Sequence, residues 1–174
     1  MRIALVIERF EPGGGVENVA WTVAHRLAEA GDEVRVIARR ADATSRVPVE
    51  RVPVPAAWQP LRVLAFSAAA AREARRGRFD VVHSFSRTRH QDVYRAGGGC
   101  HLVYLERRRR GPAGGLRRLH PRHAVLLRLE AAIFADPRQL VQCNSELVRE
   151  QIRARFAVPS ERLVVIENAV DAER

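Results

Sequence analysis

The stretch Arg2-Ile3-Ala4-Leu5-Val6-Ile7 opens the chain and is apolar after its first residue. Such a run is typical of a strand that is buried on both faces of a parallel sheet. Glu11-Pro12-Gly13-Gly14-Gly15 then interrupts it, and from Val16 apolar residues recur at helical spacing. Gly31 marks the end of that helix, and Val34–Ile37 reads as a second strand. The pattern therefore predicts a strand, a glycine turn, a helix and a second strand.

The glycine turn predicts a place where the backbone can approach an anion. Glycine permits close approach, and the N-terminus of a helix carries a partial positive charge. No Gly-Lys-Ser or Gly-Lys-Thr follows, so the turn is not a P-loop, and it lacks the third glycine of the dinucleotide fingerprint. The alternative is a turn that only packs the helix on the strand. Glu17, in the first helical turn, either complements the helix dipole or binds a ligand hydroxyl.

The rest of the chain continues to alternate between the two patterns. Strands are predicted at residues 79–83, 92–96, 139–143 and 163–166, with a short edge strand at 49–54, and helices at 60–77, 125–137 and 145–156. Residues 106–123 form an arginine-rich and glycine-rich excursion. The alternation predicts an α/β fold, a Rossmann-like, doubly wound, mostly parallel sheet flanked by helices.

In such a sheet, ligands bind beyond the carboxyl ends of the strands. Four predicted loops leave strands at that edge: Glu11–Gly15, His83–Gln91, Gly97–His101 and Asn144–Glu146. The candidate substrate-binding residues are Gly13, Gly14, Gly15, Glu17, His83, Arg89, His90, Gly97, Gly98, Gly99, Asn144 and Ser145. His101 is the candidate catalytic residue, because histidine exchanges a proton near neutral pH.

Each of these side chains also has a simpler interpretation. His101 is equally a surface histidine after a turn, and His83 contacts a sugar or merely ends its strand. Arg89 and His90 meet a phosphorylated acceptor or belong to a solvated loop. Asn144 and Ser145 are most simply helix caps.

The composition of the chain limits the classes of protein to which it can belong. The chain has 174 residues, 47% of them hydrophobic, which suits one domain with a substantial core. Its net charge is +10, and all 30 basic residues are arginine, which favours anionic partners. It contains no membrane-span or signal-peptide pattern and no cluster of metal ligands. Its two cysteines, Cys100 and Cys143, are predicted to be reduced thiols of a cytoplasmic protein.

Several segments resemble one enzyme family. Gly14-Gly15-Val16-Glu17 is similar to the opening of family-four glycosyltransferases of the GT-B fold, and the 92–101 stretch DVYRAGGGCH resembles members that build lipopolysaccharide cores. LEAAIF at 129–134 resembles the same subgroup, and VIENAVD at 165–171 resembles the family's lead into a second domain. Some relatives carry aspartate where this chain has Gly98, which leaves His101 as the nearest titratable candidate.

The resemblance implies a function and a domain plan. Residues 1–170 would be the acceptor-side domain and 171–174 the start of a linker, with the donor-binding domain absent from the chain and supplied in cis or in trans. The activity would be the retaining, metal-independent transfer of a sugar from a nucleotide sugar to a lipopolysaccharide-core or other cell-envelope glycan. The nucleotide sugar would be a substrate and not a cofactor. The chain alone is expected to be inactive.

Two other interpretations stay open. The chain could be a non-catalytic Rossmann-like module that binds a nucleotide or an anion. A nucleic-acid binder rests on charge alone and lacks a recognition motif, so nucleic acid is not an expected partner. The arginine-rich excursion predicts contact with an anionic membrane surface. A cytoplasmic protein would then be peripheral at the inner face of the membrane. The arginines that would make the contact are Arg107, Arg108, Arg109, Arg110, Arg117 and Arg118.

Overall fold

The structure is a computed structural model that describes residues 1–54, 58–107 and 120–168, and in this part of the chain seven strands form one sheet. The strands are β1 (Arg2–Phe10), β2 (Glu33–Ala41), β3 (Val49–Arg51), β4 (Val81–Ser84), β5 (Val93–Ala96), β6 (Leu140–Cys143) and β7 (Leu163–Val165). Their order is β3-β2-β1-β4-β5-β6-β7, and all neighbours run parallel. The predicted α/β fold with a doubly wound parallel sheet is confirmed.

Helices connect most of the strands. They are α1 (Gly15–Glu29), α2 (Gln59–Gly77), α3 (His101–Arg107), α4 (Pro121–Ala135) and α5 (Glu146–Phe156), and a 3-10 turn covers Ser160–Arg162. Four of the helices lie where the sequence predicts them. The fifth, α3, falls where the sequence predicts a loop followed by an excursion. Most of that excursion, residues 108–119, lies outside the described residues.

β1 is the buried centre of the sheet. Leu5 and its neighbours Ile3 and Ile7 belong to a core cluster that includes residues of α1. Ala4 and Val6 face the other side, in a cluster with Phe66 of α2. This alternation of two apolar faces explains the nearly continuous apolar run, because neither face of the strand meets water.

The sheet has a switch point between β1 and β4. From β1 the chain moves to β2 and β3 on one side, and then returns through α2 to begin β4 on the other side of β1. Connections that diverge from two adjacent strands leave a crevice at their carboxyl ends, where α/β sheets bind ligands. The glycine turn between β1 and α1 lies at this crevice.

Both cysteines are buried and free, as predicted. Burial raises the pKa of the Cys143 thiol to about 11 and also raises that of Cys100. Among the described ranges, no helix is long and apolar enough to cross a membrane. The same residues hold no group of three or more His, Cys, Asp or Glu side chains arranged to bind a metal ion.

Candidate functional site

The turn that leads into α1 leaves the backbone close to an acidic side chain. Gly14 is the N-cap of α1, and its carbonyl accepts a hydrogen bond from the backbone N–H of Asn18 at 2.9 Å. A Cβ atom at Gly14 would lie 2.3 Å from Glu17 Oε2. Gly13 has a φ of +125°, which L-residues rarely adopt. The turn therefore requires glycine at Gly13 for its conformation, whereas a Cβ at Gly14 would displace the flexible end of the Glu17 side chain.

The two glycine turns of the sequence meet at the same edge of the sheet. A Cβ atom built on Gly97, after β5, would lie 3.6 Å from Val16 Cγ2 in the first turn of α1 and 3.4 Å from Arg95 Nε. The side-chain amide of Asn144 donates a hydrogen bond to the Gly97 carbonyl at 3.0 Å. The Gly97 turn is thereby tied to the Asn144 loop and lies beside Val16, the residue that follows the first glycine turn.

One cavity, of about 420 Å³, lies at the carboxyl ends of β1 and β4, and we call it the β1 cavity. Five charged side chains and a serine are among its lining residues: Glu8, Arg9, Glu17, Ser86, Arg87 and Arg122. Much of this charge is paired, since Arg9 Nε lies 3.9 Å from Glu17 Oε1. Glu8 accepts a hydrogen bond from Arg39 at 3.1 Å and also pairs with Arg62 at 3.3 Å. The β1 cavity can therefore recognise hydroxyl and anionic groups together.

A second cavity, of about 550 Å³, opens at the carboxyl ends of β5 and β6, and we call it the β5 cavity. It is lined by the glycines of the second turn, by Tyr104 and Arg107 of α3, and by the start of α5. Ser145 is the N-cap of α5 and accepts a hydrogen bond from the Val148 N–H at 3.3 Å, which agrees with its interpretation as a cap. Asn144 has a different role, because its amide ties the Gly97 turn to this edge.

Arg87 and Glu130 separate the two cavities. Glu130 is fully buried, and Arg87 pairs with it at 3.2 Å while donating to the Gly99 carbonyl at 3.3 Å. The Glu130 carboxylate also accepts the backbone N–H of His101 at 2.9 and 3.0 Å. Neither residue was singled out from the sequence for this role. The available signal was a carboxylate on the apolar face of α4, one helical turn from both Leu126 and Phe134, which are buried.

His101 lies at the first residue of α3 and not in an open loop. Its residue is buried, at 9% exposure, and its Nε2 lies 2.9 Å from His123 Nδ1. Burial, assisted by the charge of Arg87, lowers the pKa of His101 to about 4. At neutral pH the ring is therefore uncharged, and its pKa lies below the neutral range in which the sequence predicts proton exchange. The ring also stacks on Tyr104, with 5.6 Å between the ring centroids.

His83 lies inside β4, which continues to Ser84, and it is paired in register with Leu5 of β1 and Val93 of β5. Burial, together with the charge of Arg95, lowers the pKa of His83 to about 4. A hydrogen bond with the Gln142 side chain opposes this shift, and the buried Nε2 has no partner of good hydrogen-bond geometry among the described residues. His83 is therefore a neutral side chain within the sheet, below the crevice.

Arg89 and His90 lie away from the glycine turns. The loop from β4 to β5 joins two adjacent parallel strands, so it must return from the carboxyl edge of the sheet to the amino edge. The Arg89 N–H accordingly bonds to Ser67 Oγ, midway along α2, at 3.2 Å. His90 has a pKa lowered by burial and by Arg75, in the last turn of α2. Only the first half of the loop contributes to the crevice.

Solved structures share this fold. The structure of WaaG, a glycosyltransferase involved in lipopolysaccharide biosynthesis, superposes with a TM-score of 0.88 at 19% identity, over 98% of this chain and 46% of that one. A sucrose-phosphate synthase from Thermosynechococcus elongatus gives 0.65 at 15% identity, over 99% and 49%. The apo form of the lipopolysaccharide outer-core galactosyltransferase WaaB gives 0.57 at 15% identity, over 98% and 46%.

These similarities establish the fold, and the chain spans about half the length of each of the three proteins. No curated protein matches the sequence significantly. The sequence profile described as Glycosyltransferase Family 4 matches residues 13–174, from the first glycine turn to the last residue. The chain therefore belongs to glycosyltransferase family 4 and has the Rossmann-like architecture of one half of a GT-B enzyme.

Proposed function

We propose that the chain is the N-terminal, acceptor-side domain of a retaining, metal-independent glycosyltransferase. Residues 1–170 would form this domain and 171–174 the start of a linker to a donor-binding domain, in cis or in trans. The observation that carries the proposal is the meeting of the two glycine turns at the switch point of a family-four fold. Backbone N–H groups at these turns can face the phosphates of a nucleotide sugar.

The acceptor is proposed to be a lipopolysaccharide-core or other cell-envelope glycan. The β1 cavity supports this assignment, because its carboxylates and arginines suit the hydroxyl groups and any anionic substituents of a sugar. WaaG and WaaB, whose fold this chain shares, both act in the synthesis of lipopolysaccharide, which points to the same class of acceptor. A lipid-linked acceptor would give the arginines at 107–110, 117 and 118 a purpose at the inner membrane face of the cytoplasm.

His101 is the side chain that we assign to proton exchange. Its uncharged ring, 2.9 Å from His123, would take a proton from an acceptor hydroxyl only transiently, because a pKa of about 4 makes it a weak base at neutral pH. Glu17 is assigned to a hydroxyl of the acceptor, since it lines the β1 cavity beside the first glycine turn. Positioning of donor and acceptor supplies much of the rate of such a reaction. One domain offers only one wall of the cleft, so this chain alone is expected to transfer no sugar.

The test is a transfer assay with a panel of nucleotide sugars and a core-oligosaccharide acceptor. Residues 1–174 are assayed alone and then together with the protein segment encoded downstream. Activity only in the second mixture supports the proposal. Robust transfer by this chain alone contradicts the proposal that a second domain is needed to bind the donor. Nucleotide binding without transfer in either mixture would favour the non-catalytic binding module.

A matched pair of variants locates the reaction within the active mixture. Glu17 and Glu29 lie at opposite ends of α1, so Glu17→Gln and Glu29→Gln make the same change of charge on the same helix. Glu17→Gln should lower kcat/KM about fivefold, the value of one net hydrogen bond. Glu29→Gln should leave it unchanged. Equal effects of both substitutions would remove Glu17 from the site.

A further inference from the structure

Arg95 is a buried cation without an anionic partner among the residues that the structure describes. Its residue is 4% exposed, and its Nε has no hydrogen-bond partner. Its Nη2 donates to Asn168 Oδ1, and its Cζ lies 5.9 Å from the centroid of the Phe85 ring. Within residues 1–54, 58–107 and 120–168, no carboxylate lies within ion-pair distance of the guanidinium. A guanidinium keeps its proton inside a protein, so this charge is desolvated with only a neutral amide and a ring face against it.

Such an arrangement is costly in a folded protein. Buried charges are normally paired, because a nearby countercharge offsets part of the lost hydration. The partly buried arginine of the neighbouring loop follows that rule, since Arg87 pairs with Glu130 at 3.2 Å. Arg95 departs from it although it occupies an interior strand, where an apolar residue would pack without this cost. The positive charge of Arg95 would therefore be stabilised by an anion that is not among the described residues.

The position of Arg95 indicates where that anion would bind. Its Nε and Val16 Cγ2 both lie within 4 Å of the point that a Cβ of Gly97 would occupy. The guanidinium thus lies beside Gly97 of the second glycine turn and close to Val16, which follows the first, at the carboxyl edge of the sheet. His83 lies near enough for Arg95 to affect its protonation.

Asn168 covers the guanidinium from the solvent side. It is exposed and lies beyond β7, whereas the backbone N–H of Ile166 still bonds to the Cys143 carbonyl at 2.9 Å. Asn168 can therefore move away by rotation of residues 167–168, without breaking a pairing of the sheet. Its amide oxygen accepts a hydrogen bond from one N–H group of the guanidinium. A phosphate oxygen in the same place would accept a stronger, charge-assisted hydrogen bond.

We propose that Arg95 binds a phosphate group that displaces the Asn168 amide when a ligand enters between the two glycine turns. Asn168 acts as a placeholder for the phosphate oxygen in the unliganded chain. The proposal rests on the proposed function only for the source of the phosphate, which is either the diphosphate of a nucleotide-sugar donor or a phosphorylated acceptor. Phosphate binding itself can be measured without any transfer reaction.

The test uses two substitutions at the exposed Asn168 that predict opposite results. Asn168→Ala removes the placeholder, and pyrophosphate should bind the 1–174 chain about threefold or more tightly than it binds the wild type. Asn168→Asp supplies the missing carboxylate, and pyrophosphate should bind about tenfold more weakly, with thermal stability equal or raised. Ala43→Asp is the matched control, since it adds the same charge at an exposed position after β2, on the same edge of the sheet.

Calorimetric titration with pyrophosphate, uridine diphosphate and glucose 1-phosphate measures binding and distinguishes the sources. Stronger binding of uridine diphosphate assigns the site to the donor, and stronger binding of the sugar phosphate assigns it to the acceptor. Arg95→Gln should abolish binding, whereas Arg95→Lys should retain part of it. The proposal is overturned if the wild type shows no saturable binding, or if both Asn168 variants bind pyrophosphate within twofold of it. The titration measures binding and no reaction, so its result does not depend on whether the transfer assay succeeds.

Discussion

The Glu130 carboxylate holds the backbone N–H of His101, with its two oxygens 2.9 and 3.0 Å from the nitrogen, across 29 residues of sequence. The same carboxylate accepts the N–H of Leu102 at 3.3 Å and pairs with Arg87. It therefore satisfies the first N–H groups of α3 and neutralises a cation that lines the β1 cavity. A single buried side chain of α4 thus fixes both the helix that carries the candidate catalytic histidine and the loop that follows β4.

Removal of that carboxylate should destabilise the chain strongly. Glu130→Ala leaves Arg87 and the first turn of α3 without their partner, and we expect a loss of about 3–5 kcal/mol in the free energy of unfolding. Urea denaturation measures it. The control is Glu150→Gln, which breaks the exposed 2.7 Å pair with Arg153 and should cost less than about 1 kcal/mol. If the Glu130→Ala and Arg87→Gln costs simply add in the double variant, the two side chains are not coupled.

The sequence predicts the parts of this fold that local patterns determine. β1 and α1 are visible because a strand buried on both faces is continuously apolar and an amphipathic helix repeats every three or four residues. The glycine turns are visible because each contains a position with a positive φ, Gly13 and Gly99, at which glycine is favoured. α3 is not visible, since it has only seven residues and its N-terminus is satisfied by Glu130, which is 29 residues away.

Whether a candidate residue could be placed in the crevice from the sequence also depends on local patterns. Gly97 and Asn144 could be placed there because they directly follow strands whose carboxyl ends share one edge. Arg89 and His90 follow a strand too, but the connection returns across the sheet without a helix, and no local pattern shows where such a loop turns back. Arg95 reads as an ordinary strand residue, because only the fold reveals that none of the described carboxylates packs against it.

Stability should decrease as the solution becomes acidic, partly through two histidines. The pKa values of His83 and His101 are lowered to about 4, from an ordinary value near 6.5. Between these values the unfolded chain binds more protons than the folded chain, so stability is full above about pH 6.5 and falls towards pH 4. Each histidine contributes a slope of up to about 1.4 kcal/mol per pH unit in that window.

Denaturation of the wild type, His83→Gln and His101→Gln at pH 7.5, 6, 5 and 4 isolates this contribution. Relative to the wild type, each variant should lose less stability between pH 6 and pH 4, and the slopes should coincide above pH 7. Ring proton shifts in NMR spectra provide the independent measurement. A midpoint near 6.5 for either ring in the folded chain would contradict its proposed burial in the neutral form.

Adjacent glycines of the second turn should respond differently to substitution. Gly98 has open space around a Cβ position and a φ outside the left-handed region, so Gly98→Asp should change the free energy of unfolding by less than about 0.5 kcal/mol. Gly99 has a φ of +68°, and a Cβ there would meet only Val148 Cγ2 at 3.7 Å. Gly99→Ala should therefore cost about 1 kcal/mol or more through backbone strain alone. Similar costs at both positions, measured in urea, would mean that the turn is not held as the structure shows.

Binding to anionic vesicles should depend on the arginine segment that begins at the end of α3. Arg107 is the last residue of α3, and 108–110 follow outside the described residues. Each basic group near an anionic surface contributes about 1 kcal/mol, so replacement of Arg107, Arg108, Arg109 and Arg110 by glutamine should weaken flotation with anionic vesicles by tenfold or more. The control replaces Arg72, Arg75, Arg76 and Arg78, which are exposed where α2 leads into β4 at the opposite edge of the sheet. It lowers the net charge equally and should have a smaller effect, because only a local patch can place several charges on the membrane at once. Equal weakening by both variants would show that the overall charge of the chain, and not this segment, attracts the membrane.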